Sequence, residues 1–313
     1  MTQAIFAAIL FFTTATVTAD MKITFIDARQ ADAIVIQIDQ VSGEPFTIII
    51  DGGDGDSDLR DTLPALMTGD STVELVVLSH PHTDHIEALD WLIQQSGFTI
   101  ERIWWGGEGH TIGGFTRFKT AVDDKGVMLV RPAEAFHHFV GATDFTIRVL
   151  NNGMEFPGTT GKDINNDSVV FQLIYEPASD VRVTALFTGD IEEAQGGMLV
   201  SEFGDELKSD IVKVPHHGSS ELFDQFPAKV AAEFAYVSSS GTHGTFKHPR
   251  KTALDLYAAT AEIFCTCDAA ETLHHITVTV DELGRISTSP AQPPYFVWER
   301  DANGDLQRIT ITP

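Results

Sequence analysis

Five short apolar runs, largely β-branched, each end in a polar loop. Phe46–Ile50 leads into Asp51-Gly52-Gly53, and Val73–Leu78 leads into Ser79-His80-Pro81-His82-Thr83-Asp84-His85. Val181–Phe187 precedes Thr188-Gly189-Asp190, Ile211–Val214 precedes Pro215 to Ser220, and Ala231–Val237 precedes Ser238 to Gly241. Runs this rich in apolar residues predict strands covered on both faces, as in a sheet lying between helices. A helical pattern follows the second run over Ile86–Gln95, and another follows Asp190. Polar residues gathered at the carboxyl ends of such strands are where open α/β sheets build their sites. The pattern predicts one layered α/β catalytic domain over residues 20–290. Residues 291–313 read differently: Tyr295–Arg300, a turn at Asn303-Gly304, and Leu306–Thr312 predict a β-hairpin packed on the domain edge.

The first 19 residues carry no charged side chain, run through the apolar Ile5–Phe12 and end in Val17-Thr18-Ala19. This predicts a signal peptide at residues 1–19, cleaved before Asp20, and a secreted or periplasmic product, although no Lys or Arg marks its start. The apolar core is too short to favour a membrane anchor, and no later stretch is long enough to span a bilayer.

Composition is ordinary except for charge: 45 acidic against 20 basic side chains, a formal net charge of −25. Such a surface repels nucleic acid and anionic membranes, so tight binding to long nucleic acid is not expected. Lys208, Lys213, Lys247, Arg250 and Lys251 fall near the polar loops, where scattered surface lysines are a simpler reading than a basic patch. Cys265 and Cys267 are one residue apart. A disulfide across one residue closes almost no loop, and two small core or edge residues are the simpler expectation.

The densest chemistry lies in Ser79–His85. His80 and His82 at i and i+2 face one way at a strand end, and the loop returns Asp84 and His85. Three imidazoles and a carboxylate within six residues suit zinc-like cations.

His-x-His-x-Asp-His after an apolar strand resembles the signature of the metallo-β-lactamase superfamily. The resemblance extends through Phe25–Asp32, Asp51–Gly53, Asn165–Val170, Thr188–Ile191, Val212–Ser219 and Lys247–Pro249, in that order. This set is similar to the hydrolase domain of the DNA-uptake competence protein ComEC, over roughly residues 22 to 283. It implies an αββα sandwich with two divalent metal ions at the edge of the paired sheets, zinc first and manganese second. His80 and His82 would hold the first ion, Asp84 and His85 the second, Asp190 would bridge them and His216 would complete the second site. Asp51 would orient a ligand histidine. Asp84, with His248 and Asn166, is a further candidate to touch the reacting groups, and His248 lies where a substrate-side histidine would sit.

Three positions depart from the family pattern. Many members place a histidine about 24 residues before the bridging carboxylate, where this chain has Asn166, as does the competence-protein branch. Two glycines expected after the histidine motif are Glu87 and Ala88, and two around Gln30 are Arg29 and Ala31. Gly218, Ser219, Ser220 and Ser238 to Gly241 offer donors for anionic oxygens. His110, His137 and His138 lie outside the motifs, and one of Trp104 and Trp105 is expected in the core with the other at a pocket rim. The expected activity is metal-hydroxide hydrolysis of a phosphodiester, in nucleic acid or in a small phosphorylated compound. A lactone, lactam or other ester is the alternative substrate, and a non-catalytic metal-binding module is the alternative to an enzyme.

Overall fold

The computed structural model describes residues 20–40, 43–55, 58–107, 112–140, 142, 144–153, 164–239, 246–267, 274–303 and 305–313. The expected signal peptide, His110, Ser240 and Gly241 lie outside the described residues.

The chain begins with β1 (Met21–Phe25), β2 (Ile34–Ile38), β3 (Phe46–Ile50), α1 (Asp58–Leu66), β4 (Thr72–Val73) and β5 (Leu75–Leu78). It continues through α2 (Thr83–Ile86), α3 (Leu89–Gln94), β6 (Thr99–Ile100), β7 (Arg102–Trp105), α4 (Gly113–Lys125) and β8 (Met128–Val130). Next come β9 (Phe136–His137), β10 (Phe145–Asn152), β11 (Val169–Tyr175), β12 (Val183–Phe187), α5 (Glu193–Phe203) and β13 (Ile211–Lys213). The rest is α6 (Phe226–Val230), β14 (Phe234–Val237), α7 (Lys251–Tyr257), β15 (Glu262–Cys265), β16 (Ile276–Val280), β17 (Ile286–Ser289), β18 (Tyr295–Arg300) and β19 (Leu306–Ile311).

Two sheets organise these strands. One has the order β17-β16-β1-β2-β3-β5-β7-β8 and the other β15-β14-β13-β12-β11-β10-β9. Alternate residues of each strand face opposite ways, so the buried runs feed two layers at once. Ile48, Ile50, Leu75 and Val77 of the first sheet meet Phe171, Ala185, Phe187 and Ile211 of the second in a central apolar layer. Their neighbours Ile49, Val76 and Leu78 pack outward on Leu63, Leu92 and Phe118 of α1, α3 and α4. On the far side Leu186, Val212 and Ala235 pack on Leu199, Phe226 and Leu254 of α5, α6 and α7. The result is an αββα sandwich, the architecture that the resemblance implies. The tail forms the antiparallel pair β18–β19, whose Tyr295 and Val297 are buried in that last layer.

Within each sheet the strands that lead into polar loops run parallel: β3 with β5, and β12 with β13 and β14. Their carboxyl ends therefore share an edge, and the amide of Val169 in the second sheet donates to the Ser79 carbonyl after β5 at 2.9 Å. The helical run expected over Ile86–Gln95 is instead α2 and α3, broken at Glu87 and Ala88. Glu87 is accommodated because the residues facing it are glycines: a Cβ on Gly114 would sit 2.5 Å from Glu87 Oε1, and one on Gly55 2.7 Å from its Cβ. Cys265 and Cys267, expected as separate apolar residues, are joined in a disulfide, and both are buried.

Glu74, between β4 and β5, accepts a hydrogen bond from the Thr47 amide at 2.7 Å. Burial pushes its carboxyl up to about 7; the Thr47 amide opposes this, and Asp70 adds to it. The folded chain therefore holds a proton there that the unfolded chain releases above its ordinary value of 4.5, and stability falls as pH rises from about 4.5 to about 7. Glu74→Gln cannot charge and should stabilise the chain at pH 8 while changing little at pH 4.5. Urea midpoints at the two pH values check this, and an equal shift at both would contradict it.

Candidate metal centre

Asp51, the first residue after β3, organises the first sheet's contribution. Its Oδ1 accepts the Ser79 amide at 2.8 Å and its Oδ2 the Ser79 hydroxyl at 2.7 Å. The same Oδ2 lies 2.8 Å from His85 Nδ1, so this nitrogen donates to Asp51 and Nε2 is turned to the centre. His80 Nε2 and His82 Nδ1 converge to 3.0 Å, while His80 Nδ1 faces the hydroxyls of Ser79 and Ser168 at 3.1 and 3.4 Å.

The second sheet supplies the opposing wall. After β12 the chain turns through Gly189 at φ +53°, where a Cβ would come within 2.6 Å of Ser168 Oγ; only glycine fits. Ser168 Oγ accepts the Asp190 amide at 3.0 Å. After β13, His216 and His217 both adopt left-handed backbone, φ 48° and 52°. For non-glycine residues this costs on the order of 1–3 kcal/mol each. The turn aims His217 inward: Nδ1 donates to the Ser238 carbonyl at 3.0 Å, and Nε2 lies 3.2 Å from Asp190 Oδ2 and 3.4 Å from Asp84 Oδ2. Asp190 Oδ2 is also 3.2 Å from His85 Nε2.

These separations test whether a metal fits. Four ligands about 2.0 Å from a tetrahedral ion lie about 3.3 Å from one another. The Asp190–His85, Asp190–His217 and Asp84–His217 edges of 3.2, 3.2 and 3.4 Å match that spacing, and the Asp84–His85 edge is longer at 4.0 Å. His217 Nε2 is buried and makes no hydrogen bond. The donor set of imidazole nitrogens and carboxylate oxygens suits a divalent ion, with Asp84, His85, Asp190 and His217 around one position and His80 and His82 beside it.

Asp32 and Lys213 lie behind this centre. Asp32, His85, Asp190 and His217 place ligand atoms within 4.8 Å of one another. Asp32, however, faces the Nδ1 side of both imidazoles, at 3.8 Å from each, and its carboxylate is paired with the Lys213 ammonium. Asp84, on the Nε2 side, is the better placed ligand. Lys213, almost fully buried, also reaches Asp190 Oδ1 at 3.2 Å and the Gly189 carbonyl at 2.8 Å. It thereby occupies one carboxylate oxygen of Asp190 and leaves Oδ2 to the centre.

The charges are tightly coupled. Burial alone disfavours protonated His85 and His217, but the carboxylates outweigh it: Asp190, Asp51 and Asp84 hold His85 well above its usual value, and Asp190 and Asp32 push His217 up to about 10. Burial also opposes charge on Asp190, yet His217, His85 and Lys213 hold it well below the carboxylate range. Without metal, protons on the imidazoles supply the positive charge that the carboxylates require.

A cavity of about 710 Å³ opens above the centre, lined by Asp84, His217, Ser219, Ser220, His248 and Arg250 among others.

The Metallo-beta-lactamase superfamily model matches residues 26–231. The chain belongs to this superfamily. No curated protein matches it. Among solved structures it is similar to Igni18, a metallo hydrolase from the archaeon Ignicoccus hospitalis KIN4/I, at 12% identity and TM-score 0.49, over 87% of this chain and 100% of that one. It is also similar to an isothiocyanate hydrolase from Delia radicum gut bacteria, at 13% identity and TM-score 0.45, over 78% and 96% of the two chains. Neither likeness bears on activity.

Two residues singled out from the sequence do not face the cluster of Asp84, His85 and Asp190. The sequence points to His216, but the structure turns His217 to Asp190 and Asp84 and leaves His216 against Glu192, its Nδ1 3.2 Å from Glu192 Oε1. Asn166 does not face the centre either: its Oδ1 accepts the amides of Glu192 and Gln195 at 2.9 and 3.1 Å and caps the start of α5. Its neighbour Asn165 lines the cavity instead. His80, His82, Asp84, His85 and Asp190 come together as the motif implies, and His248, 6% exposed, lines the cavity. Burial pulls the His248 imidazole down to about 3, so it is neutral at ordinary pH. Trp104 is core, but Trp105 packs on Phe115 of α4 rather than at the cavity. His137 and His138 bond the Ala133 carbonyl and the Thr146 hydroxyl, away from the centre.

Asp32, His217 and Lys213 were present in the family motifs, but nothing in a single sequence marks which of two adjacent histidines turns inward. The tail also acts here. Trp298 of β18 donates its amide to the Pro249 carbonyl at 2.8 Å and places its ring 4.4 Å from the Lys247 ammonium, bracing the segment that carries His248.

Two outcomes are expected. Asp51→Asn should weaken zinc affinity about 10–100-fold, as loss of a partner behind a ligand histidine does, and equilibrium dialysis reads it. Lys213→Met leaves Asp32 and Asp190 buried without their cation and should destabilise the metal-free chain by about 3–5 kcal/mol in urea unfolding. An unchanged midpoint would show that the ammonium is dispensable.

Proposed function

We propose that this chain is a two-metal hydrolase of small substrates, of the ComEC-like branch, exported from the cell. The observation that carries the reading is the convergence of Asp84, His85, Asp190 and His217 at the floor of an open cavity, beside His80 and His82. When bound, divalent ions supply an acidified water nucleophile near neutral pH and neutralise charge developing on the substrate. Asp190 Oδ2 and Asp84 Oδ2 are the carboxylate oxygens free to hold those ions, and Asp51 keeps the His85 ring in its working orientation. Ser219, Ser220 and Arg250 offer donors along the wall to orient a substrate oxygen. His248, buried and neutral, is placed to interact with the leaving group.

A cavity of this volume suits one compact molecule rather than a polymer. The favoured substrate is a small phosphodiester or phosphorylated compound, with zinc the first choice of metal and manganese the second. A specific observation supports a second reading: Asp54, Glu192 and Glu221 also line the cavity and favour an uncharged ester, lactone or lactam.

A panel of phosphodiester, phosphomonoester, lactone and β-lactam substrates with added zinc or manganese separates these readings, and no turnover of any class at full metal occupancy would indicate a non-catalytic module. His248→Ala should retain its metals and lose about 10²–10³-fold in rate on substrates with basic leaving groups, as loss of one hydrogen-bond donor to a developing oxyanion does, with less loss on activated aryl leaving groups. A flat mutant-to-wild-type ratio across leaving groups would rule out a hydrogen bond from His248 to the leaving oxygen. Ligand histidines must be neutral to bind metal, so zinc affinity should rise with pH, which dialysis at pH 6 and pH 8 checks.

A further inference from the structure

A second set of ligating side chains converges outside the inner centre. Glu192, His216 and Glu221 offer ligand atoms that all lie within 4.8 Å of one another, and all three line the cavity. Three separate segments bring them there: Glu192 sits just before α5, two residues after Asp190, His216 occupies the left-handed turn after β13, and Glu221 lies in the loop before α6. His216 Nδ1 is a buried atom 3.2 Å from Glu192 Oε1, yet it makes no hydrogen bond. That separation again matches the roughly 3.3 Å edge between two ligands of one tetrahedral ion. Asn165 Nδ2 donates to the same Glu192 Oε1 at 2.7 Å, which steadies the carboxylate.

A second observation comes from His248. It is 6% exposed, its Nδ1 is buried with no hydrogen-bond partner, and it lines the same cavity with its ring 5.4 Å from that of His216. A buried imidazole nitrogen without a partner carries a desolvation cost that a ligand in the cavity would remove. Two carboxylates and two imidazoles are then gathered at one wall, with Arg250 the nearby positive side chain.

We propose that Glu192, His216 and Glu221 form an outer divalent-cation site on the cavity wall. Three protein ligands and one position open to the cavity make up the coordination of a zinc-like ion that also takes a water or a substrate oxygen. The outer ion offsets the charge of Glu192 and Glu221 and gives the acidic wall a place for an anionic oxygen. None of its three ligands belongs to the inner centre, so the site stands whether or not the chain is a hydrolase.

The test is zinc titration of the metal-free full chain, with bound ions counted by equilibrium dialysis and located by anomalous scattering at the zinc edge. Wild type should show a tight inner class and a weaker outer class, with a peak between Glu192, His216 and Glu221. Glu221→Gln, at an exposed position, should weaken the outer class at least about 10-fold and leave the inner class intact. Asp190→Asn should do the reverse. Wild-type stoichiometry and affinity in both Glu221→Gln and Glu192→Gln, or no anomalous peak at the three residues, would overturn the proposal. Loss of the outer class alone would leave the inner centre standing, and an inner class unaffected by Asp190→Asn would remove the basis of the hydrolase reading without touching the outer site.

Discussion

Asp190 is a fully buried carboxylate, and the rest of the site is arranged so that its charge is met from three directions. His85 comes from the first sheet, His217 from the turn after β13, and Lys213 from β13 itself. A buried charge without such partners is among the most destabilising features a fold can carry. This requirement accounts for several local oddities at once. Gly189 takes a backbone no other residue could hold beside Ser168, two consecutive histidines accept left-handed conformations, and a lysine lies inside the protein with its ammonium between two carboxylates.

The sandwich makes this convergence possible. Each sheet sends the carboxyl ends of its parallel strands to the same edge, and neither sheet alone holds a complete ligand set. His80, His82, Asp84 and His85 follow β5, while Asp190 and His217 follow β12 and β13. The central apolar layer fixes how the two edges face each other, so ligand spacing near 3.2 Å across the sheets is a consequence of core packing. The C-terminal hairpin extends this scaffolding to the cavity rim, where Trp298 braces the Lys247–Pro249 segment.

The acidity of the chain takes on a different meaning at the site. A net charge of −25 is a surface property that weakens attraction for polyanions. Inside the cavity the carboxylates are the means of holding positive charge, whether protons on imidazole or divalent ions. The lysine that a charge-based reading counts among surface residues, Lys213, is almost fully buried at the centre.

Much of this is legible in the sequence alone. The β-branched runs ending at Asp51, Ser79, Thr188 and Pro215 marked the strands and the edge where chemistry collects, because burial on both faces leaves no polar alternation. His80, His82, Asp84 and His85 were legible because local spacing alone brings four ligands together. What local spacing cannot show is direction. The choice of His217 over His216 follows from left-handed backbone in the turn after β13, and the use of Asn166 as the cap of α5 follows from where that helix begins. The Cys265–Cys267 bond and the pairing of Lys213 with Asp32 likewise depend on neighbours that only the folded chain supplies. Sequence by itself determined which residue types and strand ends the centre would use. The tertiary structure decided which of two adjacent side chains faces inward, because neighbouring residues of one turn point in different directions and the placement of that turn against Asp190 fixes which of them meets it.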